Sequence, residues 1–385
     1  MKVLQVHTHY REQGGEDSVV RAEGELLAAA GHDVVRHVAR NPSTPVRTAG
    51  SLAMSAWNPL AAREMRRVAE RVRPDVAHVH NTWYALSPSV LAALAAADVP
   101  VVMTLHNYRL LCANANLFRD GRVCEDCVGS HPWHGVRHRC YRGSVAASTP
   151  AAANIALHRA LGTWNRHVRL FLALTEFART RFIHGGIPAH KIQVKPNFVS
   201  DPGPRPSPPS RSRTVLFVGR LESEKGVETL LDAWDAWGPS GYELVLIGDG
   251  KLRPALQRRA RPGIRLTGSL PREAVLAWML RSRALVFPSV LYEGQPIAVL
   301  EALACGLPVL ASRLGGNLGL LRGWGDDWLV APGQQVAWTE ALRRLEDADR
   351  VDQAGVDARR LYERCFTEQT ARRLLEEAYR AVLAG

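Results

Sequence analysis

Glu293 and Glu301 stand eight residues apart in LYEGQPIAVLEALACGLP (Leu291–Pro308), a stretch otherwise mostly apolar or small. The preceding ALVFPS reads as a strand, residues 290–295 as a loop, and Pro296 suits the first turn of a helix that Gly306 ends. Glu293 then lies just before that helix and Glu301 about a turn and a half inside it. Carboxylate oxygens accept from vicinal hydroxyls, and the open N–H groups of a helix start donate to others. The pair suits a polyol, with Glu293 meeting one sugar and Glu301 a second, deeper one. A solvated glutamate followed by a capping glutamate fits the same spacing.

GRLESEKG (Gly219–Gly226) brings Arg220 and Lys225 to the end of a second strand, just ahead of a helix. Two cations there can hold a diphosphate, or simply decorate a charged loop. The loop is not a P-loop, because it contains no GxxxxGK[ST]. GDG (Gly248–Gly250) closes another strand and permits close approach of a ligand or a neighbouring loop. In YREQGGED (Tyr10–Asp17), Gly14-Gly15 opens the first helix and can present N–H groups to an anion or a hydroxyl. In TLHNYR, His106 falls just past a strand end, where imidazole can donate to a reacting oxygen or shuttle its proton. Cys112, Cys124, Cys127 and Cys140 follow with the pattern C-x11-C-x2-C-x12-C, with His131, His134 and His138 among them. That spacing suits a tetrahedral structural Zn site, and four reduced buried thiols are the alternative.

The elements that must position these residues are legible in the pattern. At 385 residues the chain exceeds one hydrophobic core, so two domains are expected. Hydrophobic residues at 46% and charged residues at 22% place it among soluble globular proteins. No opening stretch reads as a signal peptide and no apolar run is long enough to span a bilayer, so a cytoplasmic location is expected. The net charge of +12 is carried mostly by arginine. No basic run alternates with aromatics, which argues against nucleic acid as a partner.

KVLQVHT, HDVVRHV, DVAHVH, VPVVMTLH and VRLFLALT read as strands alternating with helices, the signature of a parallel α/β sheet. DPGPRPSPPSRSR (residues 201–213) breaks the alternation and reads as a semi-rigid exposed linker, or as a surface loop of one domain. The alternation resumes at TVLFVG and runs through VETLLDAWDAW, YELVLIG, LRPALQRRA, IRLTG, REAVLAWMLRS, ALVFPS and PVLAS. Domains are therefore expected at residues 1–200, with a Cys-rich insert at 112–140, and at 214–365. A final helix within 366–385 carries Leu374, Leu375, Ala378, Tyr379, Val382 and Leu383 on a face that needs a partner surface, and it is expected to pack back on the N-terminal domain. Ligands of such sheets bind beyond the carboxyl ends of the strands, so two facing domains would form a cleft.

The E-x7-E pair, the GRL-x3-KG loop, Gly14-Gly15, TLH at His106 and KPNFV (Lys195–Val199) together resemble the family 4 retaining glycosyltransferases of GT-B fold. The resemblance implies two Rossmann-like domains, a nucleotide-sugar donor on the C-terminal one, an acceptor on the N-terminal one, and no metal in catalysis. It implies that Arg220 and Lys225 bind the donor diphosphate, Glu293 the sugar hydroxyls and Glu301 the ribose. Gly294, Gln295, Pro296 and Ile297 would line the donor pocket, with Gly15 and Gly219 also on the donor side. His106 would contact the sugar near the reacting carbon. A pseudo-glycosyltransferase or a non-catalytic sugar-nucleotide-binding subunit of the same fold is the alternative.

Two segments depart from the family pattern: Asn197-Phe198-Val199, and the stretch after SRLGG, where Trp324 and Trp328 could pack or stack. The helix PLAAREMRRVAERVR (Pro59–Arg73) is basic and amphipathic. It is either a membrane-docking element serving a lipid-linked acceptor or an ordinary surface helix. A small-molecule acceptor suits the second case.

Overall fold

The computed structural model describes residues 1–9, 14–42, 44–238, 241–259, 261–321 and 326–384; Tyr10–Gln13 and Trp324 fall outside them. The chain divides into two compact units. One comprises Met1–Arg119, Cys124–Pro196 and Ala371–Gly385; the other comprises Asp120–Val123 and Asn197–Thr370.

The first unit is built on six strands: β1 (Lys2–His9), β2 (Asp33–Arg40), β3 (Val76–Val79), β4 (Val101–Leu105), β7 (Leu170–Ala173) and β8 (Ile192–Val194). β5 (Phe118–Arg119) and β6 (Arg122–Val123) form a small separate ribbon. The order is β2-β1-β3-β4-β7-β8, with every pairing parallel. β3, β4 and β7 are buried throughout, which is why their sequences are near-continuous apolar runs. β2, at the edge, alternates exposed and half-buried residues.

The second unit contains β9 (Thr214–Val218), β10 (Glu243–Ile247), β11 (Ile264–Gly268), β12 (Ala284–Phe287), β13 (Val309–Ser312) and β14 (Leu329–Val330). Its order is β11-β10-β9-β12-β13-β14, again all parallel. Alternation along β9 feeds two cores: Val215 and Phe217 pack with Leu230, Trp234 and Trp338 on one face, while Leu216 packs with Val299, Leu303 and Tyr362 on the other. Trp328 is buried in the first of these cores. In each sheet the winding reverses once, between β1 and β3 and between β9 and β12. Such reversals open a crevice at the carboxyl ends of the strands.

One expectation needs correction. The proline-rich segment 201–213 is not a free linker: it lies within the second unit, which begins at Asn197. Its Arg205 guanidinium donates to the carbonyls of Met279, Ser282 and Cys305 at 3.1, 2.7 and 3.2 Å. Met279 ends one helix and Cys305 caps another, so Arg205 satisfies carbonyls that helix ends leave orphaned. Ser210 adds two bonds to the Asp352 carboxylate, at 2.8 and 2.7 Å. Prolines that pre-extend the chain make this docking cheap in entropy.

The final helix spans Glu368–Ala384. Leu375, Ala378 and Tyr379 pack with Val3, Leu27, Val76 and Val102 of the first unit, but Leu383, one residue from the helix end, is exposed. Helix Pro59–Val72 lies in the first unit. Met65 and Val68 are buried and the helix packs along helix Ser89–Ala95, while Leu60 in its first turn is 70% exposed.

Candidate functional site

In the second unit the chemistry-bearing loops follow β9 and β12, the two strands at the reversal. After β9 the chain turns through Gly219–Leu221, makes one 3-10 turn at Ser223–Lys225 and enters helix Val227–Trp237. Gly226 joins turn and helix at φ 69°, and a Cβ there would lie 2.1 Å from the Pro288 carbonyl oxygen. Only glycine lets the two loops approach this closely. Gly248 does the same elsewhere: its Cβ would lie 1.9 Å from the Gly219 carbonyl oxygen. The GDG turn therefore meets a neighbouring loop, and Leu221 N–H donates to the Asp249 carbonyl at 2.9 Å.

These approaches bring Lys225 and Glu293 together. Lys225 Nζ lies 2.6 Å from Glu293 Oε1, and Ser289 Oγ donates to the same oxygen at 2.7 Å. The two side chains are only 14% and 12% exposed. The Glu293 carbonyl accepts Gly316 N–H at 3.2 Å, which braces the loop from the end of β13. Arg220 lies in the same turn but reaches solvent, paired with Glu224 at 3.3 Å.

Glu301 is buried in helix Ile297–Ala304, and Arg272 Nε donates to its Oε1 at 2.7 Å. Burial pushes the Glu301 carboxyl upward, and Arg272 pulls it partly back. Gln295 is buried, and its amide oxygen accepts Asn197 N–H at 2.6 Å, so it braces the start of this unit. Gly219 N–H is engaged by the Ile247 carbonyl at 3.0 Å. Gly294 and Ile297 are half-buried. Pro296, at the N-cap, offers no side-chain cap, which leaves the helix start suited to an anion or a hydroxyl acceptor.

The first unit carries a band of imidazoles at its own reversal. His7 and His9 alternate on β1, His78 lies on β3 with His80 just beyond it, and His106 follows β4. His7 Nε2 and His9 Nδ1 both meet Asp17 Oδ1, at 2.8 and 2.5 Å. The other Asp17 oxygen takes Gly14 N–H at 2.9 Å, while Gly15, the first helical residue, is exposed. His80 Nδ1 lies 3.0 Å from His106 Nε2, with the rings stacked. His78 bonds Thr104 and Tyr379 at 2.7 and 2.8 Å. Beneath them Lys195 Nζ is hydrogen-bonded to Glu23 Oε1, with both residues almost wholly buried. Glu23 Oε2 lies 3.8 Å from His78 Nδ1 and from His80 Nε2.

Burial pushes the His80 and His106 imidazoles well below the ordinary histidine range and His78 down to about 4. His106 is therefore a neutral hydrogen-bonding group at physiological pH, not an imidazolium.

Glu16, beside Asp17, behaves oppositely. Burial, reinforced by the neighbouring Asp17 charge, raises its carboxyl to about 8. An unfolded glutamate ionises near 4.5, so between these values the folded chain holds a proton that the unfolded chain has lost. The resulting stabilisation is full below the unfolded value. It declines by up to about 1.4 kcal/mol per pH unit and levels off above about pH 8. Glu16→Gln keeps the uncharged shape and is expected to flatten that decline. Urea unfolding at several pH values checks this, and an unchanged slope would show that Glu16 is not held neutral.

Two family models cover most of the chain: Glycosyltransferase Family 4 matches residues 13–201, and Glycosyl transferases group 1 matches residues 212–347. The chain belongs to the family 4 glycosyltransferases. This glycosyltransferase is 27% identical to glycogen synthase of Mycobacterium tuberculosis, over 100% of its own length and 96% of that protein. It is 27% identical to phosphatidyl-myo-inositol mannosyltransferase of Mycobacterium leprae, over 90% of its length and 86% of the relative. Among solved structures it resembles Anabaena HepE in complex with UDP and glucose, with a TM-score of 0.69 at 18% identity, covering 99% of this chain and 100% of that one. The fold is GT-B.

Sequence reasoning about the glycosyltransferase assigned no role to His7, His9, His78, His80, Asp17, Glu23, Lys195, Ser289 or Arg272. A signal for the histidines was present. VHTH and AHVH place imidazoles at a period of two in strands that must be buried on both faces, so each pair points to one face. Arg272 gave no local sign, because it reaches Glu301 from a different crossover helix.

Proposed function

We propose that this enzyme is a retaining, metal-independent transferase. It moves a sugar from a nucleoside-diphosphate sugar held by the second unit to a hydroxyl of an acceptor held by the first. The observation that carries this reading is the Lys225–Glu293 pair, a covered ammonium against a covered carboxylate at the reversal of the sheet, with Arg220 in the same turn. Lys225 and Arg220 receive the diphosphate, and Glu293, oriented by Ser289, accepts hydrogen bonds from the sugar hydroxyls. Glu301 reads the ribose while Arg272 holds its other flank. Gly294 to Ile297 line the pocket, with Gly15 and Gly219 on the donor side.

As the glycosidic bond breaks, negative charge builds on the leaving β-phosphate, where the two cations stabilise it. An oxygen of that phosphate takes the acceptor proton, so no carboxylate needs to act as base. Neutral His106 hydrogen-bonds to the transferred sugar near its reacting carbon. The relatives span polysaccharide and phospholipid glycosylation, so both a small-molecule and a lipid-linked acceptor fit the reading. No helix among the described residues is long and apolar enough to cross a membrane. We place the reaction in the cytoplasm, with nucleotide sugar and acceptor as its partners.

A thermal-shift screen of UDP-, GDP-, dTDP- and ADP-sugars tests the proposal. A ligand at a hundredfold excess over its Kd stabilises the native state by about 2.7 kcal/mol. One nucleotide series is expected to raise Tm and to lose that effect in Lys225→Ala. Absence of any shift at millimolar concentration would contradict a nucleotide-sugar donor.

A further inference from the structure

The transfer reaction makes no use of the four cysteines in the segment between β4 and helix Val145–Ala160, yet the fold gathers them. Cys112, Cys124, Cys127 and Cys140 line one small cavity together with His134. No disulfide joins them. Cys112 and Cys127 are buried, Cys124 and Cys140 half-buried. Two of the sulfurs act as thiol donors: Cys112 Sγ to Asn114 Oδ1 at 2.9 Å and Cys127 Sγ to the Pro132 carbonyl at 3.8 Å.

The surrounding chain has little else to hold it. Its regular structure amounts to the two-residue strands β5 and β6 and the single turn His134–Arg137. Ala115, Leu117, Asp120, Arg139 and Arg142 all adopt positive φ. A segment so poor in repeating hydrogen bonds is the kind that a metal staples.

We propose that Cys112, Cys124, Cys127 and Cys140 bind one Zn2+ as a tetrahedral four-thiolate site that folds the segment. Four S–H protons leave to solvent as four Zn–S bonds form, so the site carries a net charge of −2. Arg119 lines the cavity wall, paired there with Asp126 at 3.1 Å. Four sulfurs in tetrahedral array select zinc over the hard cations, which prefer oxygen.

The site also has a task. Arg109 lies three residues before Cys112 and Tyr141 directly after Cys140. The Arg109 guanidinium sits 4.7 Å from the Trp83 ring and 5.0 Å from the Tyr141 ring. Trp83 and Arg109 border a cavity with His106. A metal that clamps both ends of the segment therefore fixes the wall beside His106, on the side assigned above to the acceptor.

The test is elemental analysis of protein purified without chelator, together with cobalt substitution. We expect about one zinc per chain, and thiolate-to-cobalt charge-transfer absorption in the cobalt form. Cys124→Ser/Cys127→Ser should lose the metal and become susceptible to proteolysis within residues 112–140. Any Tm rise given by a nucleotide sugar on the second unit should persist in that variant, so failure of the metal site is distinguishable from failure of the donor assignment. His134→Ala should keep the metal. Metal-free protein that takes up no cobalt and whose thiols react equally fast with and without zinc would overturn the proposal. Loss of metal in His134→Ala with retention in Cys140→Ser would overturn the four-cysteine ligand set.

Discussion

Lys225→Ala is expected to lower turnover by roughly 100–1000-fold while leaving a cooperatively folded protein. The magnitude is that of removing one preorganised group aimed at charge that develops in the transition state. Fold retention follows from position: Lys225 closes a single 3-10 turn at the sheet's carboxyl end, whereas the cores of this unit are built from Phe217, Trp234, Trp338 and their neighbours. Glu293→Ala should be comparably damaging, since Ser289 Oγ and Lys225 Nζ both converge on that carboxylate. Steady-state kinetics with the donor found by the thermal screen, alongside urea unfolding, separates the two effects. Near-normal turnover in either variant would remove the diphosphate and hydroxyl assignments.

Lys195→Met should cost about 3–5 kcal/mol of unfolding free energy, the usual penalty for leaving one member of a buried ion pair alone. Lys195 and Glu23 are 1% and 0% exposed, and the variant would leave the Glu23 carboxylate buried without its ammonium partner. The double variant Lys195→Met/Glu23→Gln removes both charges and should recover much of the loss. Equilibrium urea unfolding of the two single variants and the double closes the cycle. A single-variant cost below about 1 kcal/mol would mean that the pair is not buried as an ion pair in solution.

Much of this architecture is written in local pattern. Apolar runs such as VVMTL and ALVF can only be central strands of a covered parallel sheet, and VETLLDAWDAW forms a helix with the expected bounds, Val227–Trp237. Lys225 and Glu293 are legible because loops at strand ends carry few structural constraints, so charge there stands out. The proline-rich segment misled because composition reports the stiffness of a chain but not what it docks on. Arg205 finds its carbonyl acceptors 74 to 100 residues away. In helix Pro59–Val72 amphipathicity requires a partner for the apolar side without saying which, and helix Ser89–Ala95 packs along it. Glu301 is legible as a hydroxyl acceptor, but that Arg272 already holds one of its oxygens is not.

The measurement that bears most directly on the central claim is a crystal structure of the enzyme with its nucleotide sugar bound. The diphosphate should lie within hydrogen-bond reach of Arg220 and Lys225, with Glu293 turned to the sugar hydroxyls and its 2.6 Å contact with Lys225 opened or shared with phosphate. A donor bound elsewhere on the second unit, with the Lys225–Glu293 pair intact and Arg220 directed away, would contradict it.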